Sequence, residues 1–100
     1  MSYIENAKDD TIIAGTSEND TITNYGNRVI INASDGNDQI NNIFGDNVTI
    51  DTGNGNDRVQ IGGGNNLLIN LGEGNDNFYN RRIRKHKKWY NIFGDGYENA

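Results

Sequence analysis

The chain has 100 residues, a formal charge of −5 from 9 Lys and Arg against 14 Asp and Glu, and no Cys or Pro. That is one small domain or a piece of something longer, with neither a disulfide framework nor a thiolate metal site. Nineteen Asn and 13 Gly exclude a helical reading, since both are poor helix-interior residues, and 13 Ile favour strands.

Residues 1–8, opening "MSYIENAK", lack the basic-then-apolar layout of a signal peptide and are expected to form an N-terminal cap. No run approaches the roughly 18 apolar residues of a membrane span.

From residue 9 to 78 the chain is periodic. Asp20, Asp38, Asp57 and Asp76 are spaced 18, 19 and 19. Val29, Val48 and Leu67 keep the same step, as do Ile31, Ile50 and Ile69, and so do Ile22, Ile40, Val59 and Phe78. Four columns with one period identify a structural repeat. Each unit holds two short alternating runs, such as "NVTID" and "DRVQI", and alternation at period two specifies strands with one apolar face.

Two kinds of turn join them. The first is "SDGND" (Ser34 to Asp38), "GNGND" (Gly53 to Asp57) and "GEGND" (Gly72 to Asp76). The second is "NYGN", "IFGDN" or "IGGGNN", without an Asp in register. Glycine and Asn tolerate the positive φ that tight corners need. The predicted fold is an all-β, right-handed parallel β-roll or β-solenoid of about four coils of about 19 residues, with capping ends. A coil of this kind buries its apolar face only by stacking. The expected inward rows are Ile13-Ile31-Ile50-Ile69, Val29-Val48-Leu67 and Ile22-Ile40-Val59-Phe78, with Asn32, Asp51 and Asn70 facing out.

Stacking places Asp38, Asp57 and Asp76 in one column, about 4.8 Å apart. At an effective dielectric near 20, unit charges at that spacing repel by about 3 kcal/mol. No Lys or Arg recurs with the turns, because Gln39 and Asn77 occupy the positions equivalent to Arg58. A bound cation resolves the repulsion. Ca2+, which takes six to eight oxygens in loose geometry, fits carboxylates and carbonyls better than Mg2+ or Zn2+. The bland alternative is that these Asp residues cap turns by accepting backbone amides.

These turns, each followed by x-Ile, x-Val or x-Phe, resemble the calcium-binding repeats of RTX (hemolysin-type) proteins, which form a parallel β-roll. The resemblance implies side-chain ligands at Asp38, Asp57 and Asp76. It implies carbonyl donors at Asp35, Gly36 and Asn37, at Gly53, Asn54, Gly55 and Asn56, and at Gly72, Glu73, Gly74 and Asn75. The chain departs from the family in using a slightly longer coil and in carrying the motif on one edge only. Asp20 closes the turn "TSEND" (Thr16 to Asp20), which lacks both glycines. The clearer sites therefore lie between Asp38 and Asp57 and between Asp57 and Asp76.

Residues 79–100 begin with "NRRIRKHKKWY", which holds six of the nine cations: Arg81, Arg82, Arg84, Lys85, Lys87 and Lys88. "NIFGD" (Asn91 to Asp95) then echoes Asn42 to Asp46, an alignment that puts Trp89 where Ile40 sits. The segment reads as a basic insertion and C-terminal cap, or as a patch for a polyanion. His86 has no acid or nucleophile partner, and no catalytic constellation is present in the repeats.

The sequence thus points to a calcium-dependent structural module of a larger, exported bacterial protein, secreted or at the cell surface, and not to an enzyme. Three other readings stand beside it: an ion-independent scaffold, a solenoid that binds glycan or ice, and a module whose catalytic domain lies elsewhere.

Overall fold

The computed structural model describes residues 2–80, 90–93 and 97–99, with side chains over 3–79. It is an all-β solenoid of about four turns, in which paired strands are offset by one sequence period. The elements are β1 (Ser2–Asn6), β2 (Ile12–Ala14), β3 (Asp20–Asn24), β4 (Ile30–Asn32), β5 (Gln39–Asn42), β6 (Thr49–Asp51), β7 (Arg58–Ile61), β8 (Leu67–Asn70), β9 (Asn77–Asn80), β10 (Tyr90–Phe93) and β11 (Tyr97–Asn99). Odd strands form one sheet in the order β1-β3-β5-β7-β9-β11, and even strands the other, β10-β8-β6-β4-β2. Every pairing is parallel, as a coil that returns to the same side must make it.

Register follows the sequence period. Ile22 pairs with Ile40, Ile40 with Val59, and Val59 with Phe78. In the second sheet Ile13 pairs with Ile31, Ile31 with Ile50, and Ile50 with Ile69. All of these residues are buried, as are Val29, Val48 and Leu67 at the second turn. The core is therefore a set of like-on-like columns between two sheets, and its alternation holds because each strand shows one apolar face inward. A fourth inward column, Ala33, Thr52 and Leu71, lies just before the glycine turns.

Three findings refine the outline. Residues 2–6, expected to lie in a cap, form a strand whose Ile4 pairs with Ile22 and packs on the core, so the stack begins there. Asn91 does not repeat the role of Asn42. It pairs with Leu68, placing Asn91, Ile92 and Phe93 in the even-strand sheet. Asn91 to Phe93 of the "NIFGD" echo are thus strand, set by the pairing partner and not by the local string, while Gly94 and Asp95 lie outside the described residues. The basic run from Arg81 to Lys88, with His86 and Trp89, lies outside the described residues, as does the polyanion patch it suggested. Among the described residues no helix is long and apolar enough to cross a membrane.

A polar column was not foreseen. Asn6, Asn24 and Asn42 are buried at the end of β1, β3 and β5. Nδ2 of Asn6 donates to Oδ1 of Asn24, and Nδ2 of Asn24 to Oδ1 of Asn42, each at 2.9 Å. The same amide nitrogens reach the carbonyls of Lys8, Gly26 and Gly45. Each Asn closes its own turn and clasps the next coil, which is why a buried amide is tolerated. The regular spacing of these three Asn carried the signal in the sequence.

Candidate functional site: the carboxylate column

The glycine turns connect β4 to β5, β6 to β7 and β8 to β9. Their first positions, Ser34, Gly53 and Gly72, have φ of 67°, 74° and 69°, and their third, Gly36, Gly55 and Gly74, have φ of 101°, 116° and 118°. These are left-handed conformations that favour glycine. A second constraint acts along the stack. A Cβ at Gly55 would overlap the carbonyl oxygen of Gly36, and one at Gly74 that of Gly55. Backbone carbonyls from one coil therefore point at the glycine of the next, in space that any side chain would fill.

Beneath each turn sits its aspartate. Asp20, Asp38, Asp57 and Asp76 are all at most 2% exposed. The backbone N–H of Asp20 donates to Oδ1 of Asp38, that of Asp38 to Oδ1 of Asp57, and that of Asp57 to Oδ1 of Asp76, each at 2.8 Å. One oxygen of each of these three acceptor carboxylates is thus anchored by the coil before it.

The second oxygen separates the turns. In "TSEND", the backbone N–H of Thr16 donates to Oδ2 of Asp20 at 2.7 Å and the Thr16 hydroxyl to Oδ1 at 2.9 Å. In the later turns the equivalent amide faces elsewhere: Ser34 N–H to Oδ1 of Asn32, Gly53 N–H to Oδ1 of Asp51, and Gly72 N–H to Oδ1 of Asn70. The positive φ at those positions rotates the amide away from the aspartate. Oδ2 of Asp38 and Oδ2 of Asp57 are left buried with no hydrogen-bond donor. An unpaired buried carboxylate oxygen is costly, and native structures rarely leave one without an ion, proton or water.

The electrostatics agree. Burial, above all, pushes the Asp57 carboxyl up to about 7. The Asp38 amide and the Thr52 hydroxyl pull it back, and the charges of Asp38 and Asp76 raise it further. The Thr52 hydroxyl is itself directed at the Leu71 carbonyl, 2.8 Å away. Burial likewise pushes Asp38 up to about 6, opposed by the Asp20 amide and reinforced by Asp20 and Asp35. The turn-capping alternative is realised in full at Asp20. At Asp38 and Asp57 half of each carboxylate remains for something else.

The remaining positions line the outside of the corner. Asn19, Asn37, Asn56 and Asn75 are exposed. They form their own ladder, Oδ1 of Asn19 accepting from Asn37 N–H, Oδ1 of Asn37 from Asn56 N–H, and Oδ1 of Asn56 from Asn75 N–H. Asp35, Asn54 and Glu73 are also exposed, with Nδ2 of Asn54 3.4 Å from Oδ1 of Asp35. The Asn side chains thus brace the turns, and any donation they make to an ion would come from backbone carbonyls. Among the described residues no group of three or more His, Cys, Asp and Glu converges on one point. A cation here would be held by one carboxylate per turn plus carbonyls. An all-oxygen donor set of that kind would suit Ca2+.

The opposite edge is built differently. Oδ1 of Asp9 accepts from Asn27 N–H, Oδ1 of Asn27 from Asp46 N–H, and Oδ1 of Asp46 from Asn65 N–H. There Arg28 pairs with Asp10 at 2.6 Å. Comparison with family profiles, curated proteins and solved structures finds no match to this chain, so its own geometry carries the functional argument.

Proposed function

We propose that this chain is a calcium-binding structural module, with Ca2+ held between stacked glycine turns and its binding energy spent on keeping the solenoid folded. The observation that carries the reading is the pair of buried, donorless oxygens, Asp38 Oδ2 and Asp57 Oδ2, stacked one coil apart. The resemblance of the turns to RTX repeats points the same way. The sites lie at Asp38–Asp57 and Asp57–Asp76, with carbonyls of Gly36, Gly53, Gly55, Gly72 and Gly74 as further donors. Asp20, satisfied by Thr16, is the closed end of the column. Asp35, Asn37, Asn54, Asn56, Glu73 and Asn75 contribute backbone or outer-sphere charge. The module belongs to an exported protein, bathed in millimolar calcium, and performs no catalysis.

An ion that binds only the folded state stabilises it by mass action. Far-ultraviolet circular dichroism in chelator, followed by calcium titration with magnesium as control, tests the reading. The expected result is a large gain in melting temperature with calcium and little with magnesium. An unchanged melting temperature and no titration heat would leave the second reading, an ion-free scaffold whose carboxyls are kept protonated by burial. The raised Asp38 and Asp57 values favour that reading.

A further inference from the structure

The outward face of the odd-strand sheet bears a feature unrelated to the carboxylate column. Thr23, Asn41 and Gln60 pair one above another and make a floor. Tyr3 and Gln39 stand on one side of it, and Tyr25, Ile43 and Gly62 on the other, enclosing a groove of about 530 Å3. We propose that this groove binds a neutral oligosaccharide.

Charge comes first. None of the eight lining residues is ionisable at neutral pH, although the chain carries 9 basic and 14 acidic residues. Glu5, in register with Thr23, and Arg58, in register with Gln39, flank the groove without lining it, so the contacts it offers are uncharged, and an acidic ligand would meet a net-negative protein.

The polar chemistry narrows the class. The side-chain amides of Gln39, Asn41 and Gln60 each offer two donors and an acceptor side by side, the pattern that adjacent hydroxyls on a sugar ring complement. Nε2 of Gln39 reaches Oδ1 of Asn41, and Nδ2 of Asn41 reaches Oγ1 of Thr23, both at 3.5 Å. Bonds that long aim the amides along the floor while leaving most of their capacity to a ligand. An apolar ligand would leave these groups unpaired at a cost. A peptide strand would need sheet-edge backbone groups, and on this face they are already used in the ladder.

The rings supply the rest. Tyr3 is 69% exposed and Tyr25 40%. The Tyr25 ring packs against Phe44, centroids 6.3 Å apart and tilted by 43°, which fixes its direction. An aromatic body with a hydroxyl at its tip suits a ligand with an apolar ring face and a polar rim.

Gly62 completes the shape. It is the one described glycine at which a Cβ would meet only ordinary contact, 3.4 Å from the Ile43 carbonyl oxygen. Packing does not require glycine there, and its φ is not left-handed. Its consequence is that the wall formed by Tyr25 and Ile43 ends, leaving the groove open at one end.

The test uses the full chain in millimolar calcium. A glycan array carrying neutral and acidic glycans is screened first, and the best neutral oligosaccharide is then titrated calorimetrically. Saturable binding to neutral glycans is expected, weakened about tenfold by Gln60→Ala and by Tyr3→Ala. Gly62→Phe, which fills the open end, is expected to abolish it with the circular dichroism spectrum unchanged. Binding to acidic glycans alone, no neutral binder on the array, or affinity indifferent to both Gln60→Ala and Gly62→Phe would overturn the proposal. None of the lining residues belongs to the glycine turns, so the outcome is separable from that of the calcium titration.

Discussion

The backbone N–H of Asp38 donates to Oδ1 of Asp57, one coil further along, at 2.8 Å. That bond uses the acceptor oxygen and ignores the charge, which separates two roles in one side chain. Asp57→Asn keeps an Oδ1 acceptor and removes the charge. In chelator the variant is expected to be more stable than the parent, because a buried and repelled carboxylate is gone. In calcium the order is expected to reverse, with weaker binding and fewer ions. Urea midpoints with and without calcium read both signs.

The same burial predicts the pH dependence of the calcium-free protein. Asp38 and Asp57 have folded values raised from the ordinary carboxylate value of 3.8 to about 6 and about 7. The folded state therefore holds protons more tightly than the unfolded chain. Stability from this source is complete below about pH 4 and is lost as pH rises through 6 to 7. Melting temperatures in chelator should fall across that window, and the calcium-induced gain should grow across it. A flat chelator profile would contradict the burial argument.

Thr16 closes the column by supplying a backbone amide and a hydroxyl to Asp20. Thr16→Gly with Glu18→Gly makes "TSEND" read "GSGND" and is expected to free the second Asp20 oxygen. Calorimetric stoichiometry should rise by about one ion. Equal stoichiometry in parent and variant would mean that positive φ at this turn is not what opens a site.

Gly55 has φ of 116° and faces the Gly36 carbonyl at the distance of an overlap. Gly55→Ala should destabilise by about 1–3 kcal/mol from backbone strain alone, with the clash adding to it. Gly62→Ala should be nearly neutral. Denaturant unfolding of the pair separates a glycine required by the corner from one that is not.

Ile50 and Phe78 are fully buried in their columns. Ile50→Ala is expected to cost about 2–5 kcal/mol and Phe78→Ala about 3–5 kcal/mol. Asn24→Ala, which strips partners from Asn6, Asn42 and Gly26, should cost about 1–3 kcal/mol for each buried group left unsatisfied. Equilibrium unfolding in calcium measures all three.

Period and polarity alone determined the architecture. Strand alternation and a nearly constant step leave one way to bring Ile22, Ile40, Val59 and Phe78 together, and the pairing follows it. The aspartate column was legible for the same reason. What the string could not carry is hydrogen-bond satisfaction, because a carboxylate's partners come from a turn amide whose direction depends on φ and from the neighbouring coil. The missing glycines of "TSEND" set Asp20 apart from Asp57 in sequence, but only the structure shows the means: Thr16 satisfies one, and the turned Gly53 amide abandons the other. The same physics hid the Asn6–Asn24–Asn42 clasp and misplaced Asn91, whose position was decided by Leu68 beside it and not by the local resemblance of "NIFGD".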